Sequence, residues 1–381
     1  MIALKMKSEH EIFRESLRKF LAKEATPNFQ QWEAEQSIPK SFWKKLGEQG
    51  FLCPWADEEY GGVNADFLYS IIVHEELESI GTGMVGIGLH NDIAAPYIYD
   101  FGTEEQKRRW IPGCVSGEYI TAIAMTEPGA GSDLANIRTT AIKDGDEYVI
   151  NGEKTFITNG YSADLVIVAC KTNLKAEPGY KGISLFVIEA GTPGFTKGKK
   201  LDKVGQHSND TCELIFEDVR VSADQLLGEE NHGFYYLMKN LQQERLVVAI
   251  SAIKSAEIML EITMNYTKKR TAFGNPISAF QNTQFKLAEI ATEISIGRNF
   301  VDNLVMKHMN KEDIVTEVSM AKWWISDLAK RISVECMQLH GGYGYMEEYE
   351  IARRFRDTAV TSIYAGTNEV MKHIIAKKMG L

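Results

Sequence analysis

The spacing of apolar residues changes twice along this chain, and these changes constrain the fold more than any other feature. Residues 8 to about 117 carry apolar side chains at three- and four-residue steps, as in Glu11–Leu21 and Phe67–Ile80, which predicts amphipathic helices. Short apolar runs between turn residues follow, to about residue 225. From Gly233 the helical period returns and continues to the end. We therefore predict an α+β fold in which a β domain separates two helical domains.

The middle region has the pattern of an all-β barrel or sandwich. Asp144-Gly145 predicts a hairpin, and Asn151-Gly152 and Asn159-Gly160 predict two further turns. The runs that predict strands are Tyr119–Met125, Thr139–Ile142, Tyr148–Ile150, Leu165–Ala169, Ile183–Ile188 and Glu213–Phe216.

The final region predicts a bundle of four helices, at about 231–268, 279–308, 313–338 and 367–379. We expect an N-terminal helical domain over residues 1–117, a central β domain over 118–228 and a C-terminal helical bundle over 229–381.

Composition excludes several classes of function. A net charge of −10 argues against binding to nucleic acid, and no apolar run is long enough to span a membrane. The segment Met1–Lys7 is too short and too soon acidic for a leader, so we expect the bacterial cytoplasm or, after processing, the mitochondrial matrix. The five cysteines are scattered, which fits a reducing compartment, and no group has metal-ligand spacing.

Glu244 is the residue that most strongly indicates chemistry. No cation stands three or four residues away to pair with it. An unpaired buried carboxyl has a raised pKa, which suits proton abstraction near neutral pH. A solvated glutamate, or one paired with a residue distant in sequence, is the alternative interpretation. The first interpretation, a buried carboxyl, rests on the apolar neighbours of Glu244 on the same helical face. These are Leu237, Leu241, Val247 and Val248.

Two motifs border the predicted strands. Met125–Asp133 contains two glycines that let backbone N–H groups approach a ligand, although it lacks the dinucleotide-binding fingerprint. In Lys154–Gly160, Phe156 offers a flat apolar face and Thr158 a hydroxyl on the same side of a strand. A plain turn and an ordinary strand end are the alternatives.

Three further motifs belong to the helical bundle. In Arg270–Gly274, the arginine would clamp a phosphate, or simply complement a helix C-terminus. Gln338–Tyr345 has consecutive glycines after a long helix. In Ile363–Val370, Thr367 is a predicted N-cap, and the helix start suits an anionic or carbonyl ligand.

Taken together and in this order, the motifs resemble the acyl-CoA dehydrogenase family over nearly the whole chain. The segment Ala56–Gly62 also resembles the corresponding segment of the family. The resemblance implies FAD, an acyl-CoA substrate oxidised to trans-2-enoyl-CoA in fatty-acid β-oxidation, an electron-transfer flavoprotein as acceptor, and a homotetramer. The segments most similar to the long-chain branch are Glu11–Arg14, Met125–Asp133, Gly182–Phe186, Leu227–Asn231, Gly233–Tyr236, Gln243–Leu246 and Gln338–Tyr345.

The resemblance also implies roles for single residues, with Glu244 as the catalytic base. Residues implied to contact substrate are Ser132, Arg245, Tyr364 and Gly366. Those implied to hold FAD are Ile123, Met125, Thr126, Gly131, Ser132, Phe156, Ile157, Thr158, Thr367 and Glu369. Those implied to reach the FAD of a neighbouring subunit are Arg270, Phe273, Gln281, Gln338 and Gly342.

Ala365 departs from the pattern of many family members, which carry a catalytic glutamate at that position. The long-chain and isovaleryl branches instead place the base where Glu244 stands. The alternative substrate class is therefore short branched acyl groups, the substrates of an isovaleryl-type enzyme. Two other functions stay open: an acyl-CoA oxidase on the same scaffold, and a non-catalytic flavin- or acyl-CoA-binding scaffold, which only Ala365 supports.

Overall fold

The computed structural model describes residues 4–81 and 84–381, so the first residues of the segment Met1–Lys7 lie outside it. Helices, then a sheet, then helices follow along the chain, which confirms the predicted fold class. The N-terminal helices are α1 Ser8–Glu24, α2 Phe29–Glu35, α3 Lys40–Glu48, α4 Phe67–Ile80, α5 Val85–Leu89, α6 Ala95–Phe101 and α7 Glu104–Ser116.

Eight strands of the described residues form a mixed sheet in the order β6-β7-β3-β2-β4-β5-β8, with β1 parallel to β4. Thr271–Ala272 and Asn275–Pro276 form a separate two-stranded ribbon. The strands are β1 Thr121–Ala124, β2 Thr140–Asp144, β3 Glu147–Thr158, β4 Leu165–Lys171, β5 Ile183–Glu189, β6 Phe195–Lys200, β7 Thr211–Ser222 and β8 Leu226–Leu227.

Strand β4 is buried on both faces, because it lies between two cores. Leu165 and Ile167 pack into a core shared with Trp110 of α7. Val166 and Val168 point to the opposite face and pack into the interior of the β domain. The sheet is therefore attached to the N-terminal helices by a continuous apolar layer.

The C-terminal helices pack around a core that also takes residues from α4. Leu68 and Ile71 of α4 contact this core, so α4 lies against the longest helix, α8 (Gly233–Lys269). In the part of the chain that the structure describes, no helix is long and apolar enough to cross a membrane. The helices are α8 Gly233–Lys269, α9 Gln281–Met309, α10 Val315–His340, α11 Glu350–Thr358 and α12 Asn368–Lys378.

Three sequence-based predictions of local structure were wrong or incomplete. Asn151-Gly152 is not a turn but lies inside β3, where the register with β7 shifts between Ile150 and Gly152. Pairing with the long strand β7 overrides the local turn signal, and the bulge takes up the extra residue. Strand β6 and helix α11 were missed, because both are rich in charged residues and have few apolar ones. The domain boundaries at 117/118 and 228/229 stay a prediction.

Candidate active site

A cavity lies between α4, α8, the sheet and the loop before α12. The loop contributes Tyr364 and Ala365. Successive turns of α8 contribute Glu244, Val247, Val248, Ser251, Ala252 and Ser255. The sheet side contributes Ile123, Met125, Thr126, Phe156, Ile157 and Thr158, all six of which are predicted cofactor residues.

The Glu244 side chain is buried, with 3% of its surface exposed. The hydroxyl of Tyr97, on α6, donates a hydrogen bond of 2.7 Å to Oε1 of Glu244. Burial raises the pKa of Glu244 to about 7, although the hydrogen bond from Tyr97 and the charge of Arg245 lower it. The carboxyl is therefore not the solvated glutamate of the alternative interpretation, and its partner distant in sequence is a neutral donor.

Tyr97 had no signal in the sequence, because nothing local relates it to a residue 147 positions later. It is fully buried, and burial and the nearby Glu244 carboxyl raise its pKa well above the usual range. The phenol consequently stays protonated while Glu244 titrates, so it can donate to the ionised carboxylate.

Arg245 lies beside Glu244 in sequence but is absent from the cavity wall described above. Its side chain is buried, and its Nε has no hydrogen-bond partner within residues 4–81 and 84–381. Burial lowers the pKa of this guanidinium, while the charge of Glu244 raises it. The positive charge of Arg245 in turn lowers the pKa of Glu244.

A bulge in β3 brings Phe156 to the cavity. Phe156 has φ +59°, and the register with β7 shifts between Lys154 and Ile157, so simple strand alternation does not apply here. The Phe156 ring remains 68% exposed and borders the cavity together with Thr158. The ammonium of Lys154 is buried and donates to the carbonyl of Met125 (3.0 Å) and to Glu127 (2.8 Å), which ties β3 to the loop after β1.

The loop before α12 is held by another buried lysine that the sequence did not reveal. Lys322, on α10, donates to the carbonyl oxygen of Gly366 (2.6 Å) and to Asn368 Oδ1 (3.0 Å). Thr367 is the N-cap of α12, as predicted, and accepts from the backbone N–H of Val370. These bonds keep Ala365, with φ +52°, at the cavity wall.

A second hollow contains a subset of the residues implied to reach a neighbouring subunit. Arg270, Gln338 and Gly342 line it, and the Arg270 guanidinium lies 5.3 Å from the ring centre of Tyr343. Phe273, at the tip of the ribbon Thr271–Pro276, is 95% exposed and does not line the hollow.

Other predicted site residues lie away from both hollows. Gln281 begins α9 on the surface. Gly131 and Ser132 are exposed in the loop after β1, and Thr367 and Glu369 stand at the start of α12. Gly366 does not line the main cavity, although its neighbour Ala365 does.

The residues present fit a flavin. Thr126 and Thr158 offer hydroxyls to a polar ring edge, and Phe156 offers an exposed flat face beside them. A side chain built on Gly129 or Gly131 would meet no atom within 4 Å, so this loop has room for a ligand against its backbone. Across the described residues, no cluster of His, Cys, Asp or Glu has the arrangement of a metal site.

Comparisons with known proteins agree with this arrangement. Residues 7–118 match the family described as Acyl-CoA dehydrogenase, N-terminal domain, and residues 122–219 and 231–380 match its middle and C-terminal domains. The mitochondrial long-chain specific acyl-CoA dehydrogenase of Sus scrofa is 49% identical over 372 residues, which are 98% of this chain and 86% of that protein.

Two further similarities bear on substrate class and fold. The mitochondrial isovaleryl-CoA dehydrogenase of Pongo abelii is 37% identical over 376 residues, covering 98% of this chain and 89% of that protein. The crystal structure of an acyl-CoA dehydrogenase from Geobacillus kaustophilus has a TM-score of 0.99 and 64% identity, and covers 100% of both chains. The chain belongs to the acyl-CoA dehydrogenase family and is an FAD-dependent oxidoreductase.

Proposed function

We propose that this enzyme oxidises long-chain acyl-CoA thioesters to trans-2-enoyl-CoA in fatty-acid β-oxidation, with Glu244 as the catalytic base. The observation that carries this assignment is a buried carboxyl with a pKa of about 7 in the same cavity as Ala365 and Thr158. A base with a pKa near the working pH is efficient in proton transfer, and burial supplies that pKa here.

In the proposed reaction, each of these groups has a distinct role. Glu244 takes the α-proton, so the α C–H bond breaks and its electron pair forms the new double bond. The β-hydrogen leaves with its bonding electrons, and bound FAD supplies the acceptor for that hydride. The backbone N–H of Ala365 stabilises the charge that develops on the thioester oxygen; losing such a donor in other enzymes costs about 3 kcal/mol of barrier.

Tyr97 and Arg245 both lower the pKa of the proposed base, Glu244. The Tyr97 hydroxyl holds Oε1 of Glu244, which leaves the other carboxyl oxygen to receive the proton. The charge of Arg245 favours the ionised form of the Glu244 carboxyl. We infer that this guanidinium positions the base helix near the substrate, and that Ser132, Tyr364 and Gly366 contribute to binding the thioester.

Preference for long chains is supported by the relatives and by the shape of the cavity. Its wall on α8 runs from Glu244 to Ser255, which is about 16 Å along the helix axis. An isovaleryl group would fill only the part of this space next to Glu244. The isovaleryl-type enzyme is therefore the second candidate, favoured by the shared position of the base and by the 37% identity to the isovaleryl-CoA dehydrogenase of Pongo abelii.

The remaining parts of the proposal concern cofactor binding and partners. We assign the residues of the sheet side to the flavin ring, Thr367 and Glu369 to its adenine half, and Arg270, Phe273, Gln281, Gln338 and Gly342 to the FAD of a neighbouring subunit in a homotetramer. An electron-transfer flavoprotein would reoxidise the enzyme, in the bacterial cytoplasm or the mitochondrial matrix.

Anaerobic titration of the holoenzyme with acyl-CoAs tests the function. Flavin absorbance should bleach on adding a long saturated acyl-CoA, and isovaleryl-CoA should bleach it much more slowly. Absence of bleaching with every acyl-CoA would leave the non-catalytic scaffold as the correct reading. Fast reoxidation in air without a protein acceptor would identify an oxidase.

A further inference from the structure

The α8 wall of the cavity ends at Ser255, about three helical turns from Glu244. The cavity is also lined by apolar side chains, among them Leu77, Val85, Leu89, Val248 and Ala252. Ser255 faces the same space as Glu78 of α4 and Asp357 of α11, so this end of the α8 wall is polar and charged.

Glu78 is paired with a buried arginine. Arg354, on α11, has a fully buried side chain and places Nη1 3.3 Å from Glu78 Oε1. Its Nη2 also donates to the backbone carbonyl of Glu78 at 3.1 Å, and its Nε donates to Glu350 at 2.8 Å. The guanidinium is therefore fixed on three sides, and it fixes the carboxyl at the end of the cavity.

Burial and the charge of Arg354 have opposite effects on the pKa of Glu78. Burial raises the pKa of Glu78 to about 7, and the charge of Arg354 lowers it. An alkyl chain pressed against the Glu78 carboxylate would offer it no hydrogen bond. Apolar groups are poor neighbours for a charged group, so a terminal methyl group is expected to stop short of this ion pair.

We propose that the Glu78–Arg354 ion pair closes the acyl cavity and sets the longest acyl chain that the enzyme accepts. The inference rests on the proposed function, since it takes this space to be the acyl site. Glu78 acts as a specificity-determining residue and takes no part in the chemistry at Glu244, which lies about three helical turns away along α8.

The test is a profile of kcat/KM against saturated acyl-CoAs of increasing length for the holoenzyme and two variants. Glu78→Ala removes the bulk and the negative charge of Glu78, while Arg354 stays paired with Glu350. Chains just beyond the wild-type limit should then gain about tenfold relative to shorter ones, which is the scale of discrimination by one methylene. Glu78→Gln keeps the size but is neutral, and should give a smaller gain in the same direction.

Glu76→Ala is the matched control, because Glu76 is buried on the same helix and pairs with Arg14 and Arg18 away from the cavity. Its length profile should equal that of the wild type. An unchanged profile in a Glu78→Ala protein that holds FAD would overturn the inference. If that variant does not fold, an unchanged profile in Glu78→Gln overturns it. Failure of all acyl-CoAs to react, even with wild type, would instead refute the proposed function.

Discussion

Glu244 illustrates how one side chain acquires its chemistry from several elements. Burial pushes its pKa up, and a phenol from α6 together with the adjacent guanidinium pulls it back to about 7. Without these two groups, a carboxyl this deeply buried would stay protonated at neutral pH and could not act as a base.

Tyr97→Phe should move the pH profile of kcat/KM to higher pH. As the proposed base, Glu244 accepts a proton only when ionised, so the wild-type rate should rise as pH increases through about 7. The hydrogen bond from Tyr97 stabilises the ionised form, and its loss raises the pKa further. The measurement is kcat/KM between pH 5 and 9.

Tyr99→Phe is the control for this experiment, because Tyr99 lies on the same helix and donates to Asp57 instead of Glu244. Its profile should match that of the wild type. If Tyr97→Phe left the rising limb of the pH profile in place or moved it to lower pH, the hydrogen bond would have no part in setting the pKa of Glu244.

At the scale of elements, α10 supports the active-site loop through Lys322. In Lys322→Met, the Gly366 carbonyl and the Asn368 side chain lose a buried donor, which should cost about 1–3 kcal/mol of unfolding free energy. The rate should fall as well, because Ala365 loses its fixed position. Urea unfolding and steady-state kinetics measure the two effects.

Lys330→Met serves as the control on the same helix, since Lys330 is only half-buried and donates to the Ser362 hydroxyl. We expect little change in stability or rate. Equal behaviour of the two variants would show that Lys322 has no special role in holding the loop.

Which features were predictable from the sequence depends on how local their causes are. The helical and strand periods, the N-cap at Thr367 and the buried face of Glu244 follow from neighbours within one or two turns. The bulge at Asn151-Gly152 results from pairing with a strand far along the chain, so the local turn signal misled.

Long-range partners were not predictable for the same reason. Tyr97, Lys154, Lys322 and the Glu78–Arg354 pair reach their partners across 27 to 276 residues of sequence. No periodicity relates such positions, and only tertiary packing brings them together.

At the scale of the whole molecule, the proposed role of the hollow around Arg270 predicts that FAD binds tightly only when the subunits assemble into the homotetramer. The native protein should have four times the 42.8 kDa chain mass in light scattering. In the proposed assembly Arg270 donates to a phosphate of FAD, so Arg270→Ala should raise the Kd for FAD about tenfold. Residual bound FAD should still be bleached by acyl-CoA. A monomer with unchanged FAD affinity would contradict the assignment of this hollow.

The most direct test of the whole account is the rate of flavin reduction in a single turnover of Glu244→Gln. Glutamine keeps the size of the side chain and the Tyr97 contact but cannot take a proton. The variant should keep FAD, while flavin reduction by a long acyl-CoA slows at least about a hundredfold. Glu257→Gln, on the same helix and paired with Arg298, should react like the wild type. A Glu244→Gln protein that reduced its flavin at nearly the wild-type rate would show that another group is the base.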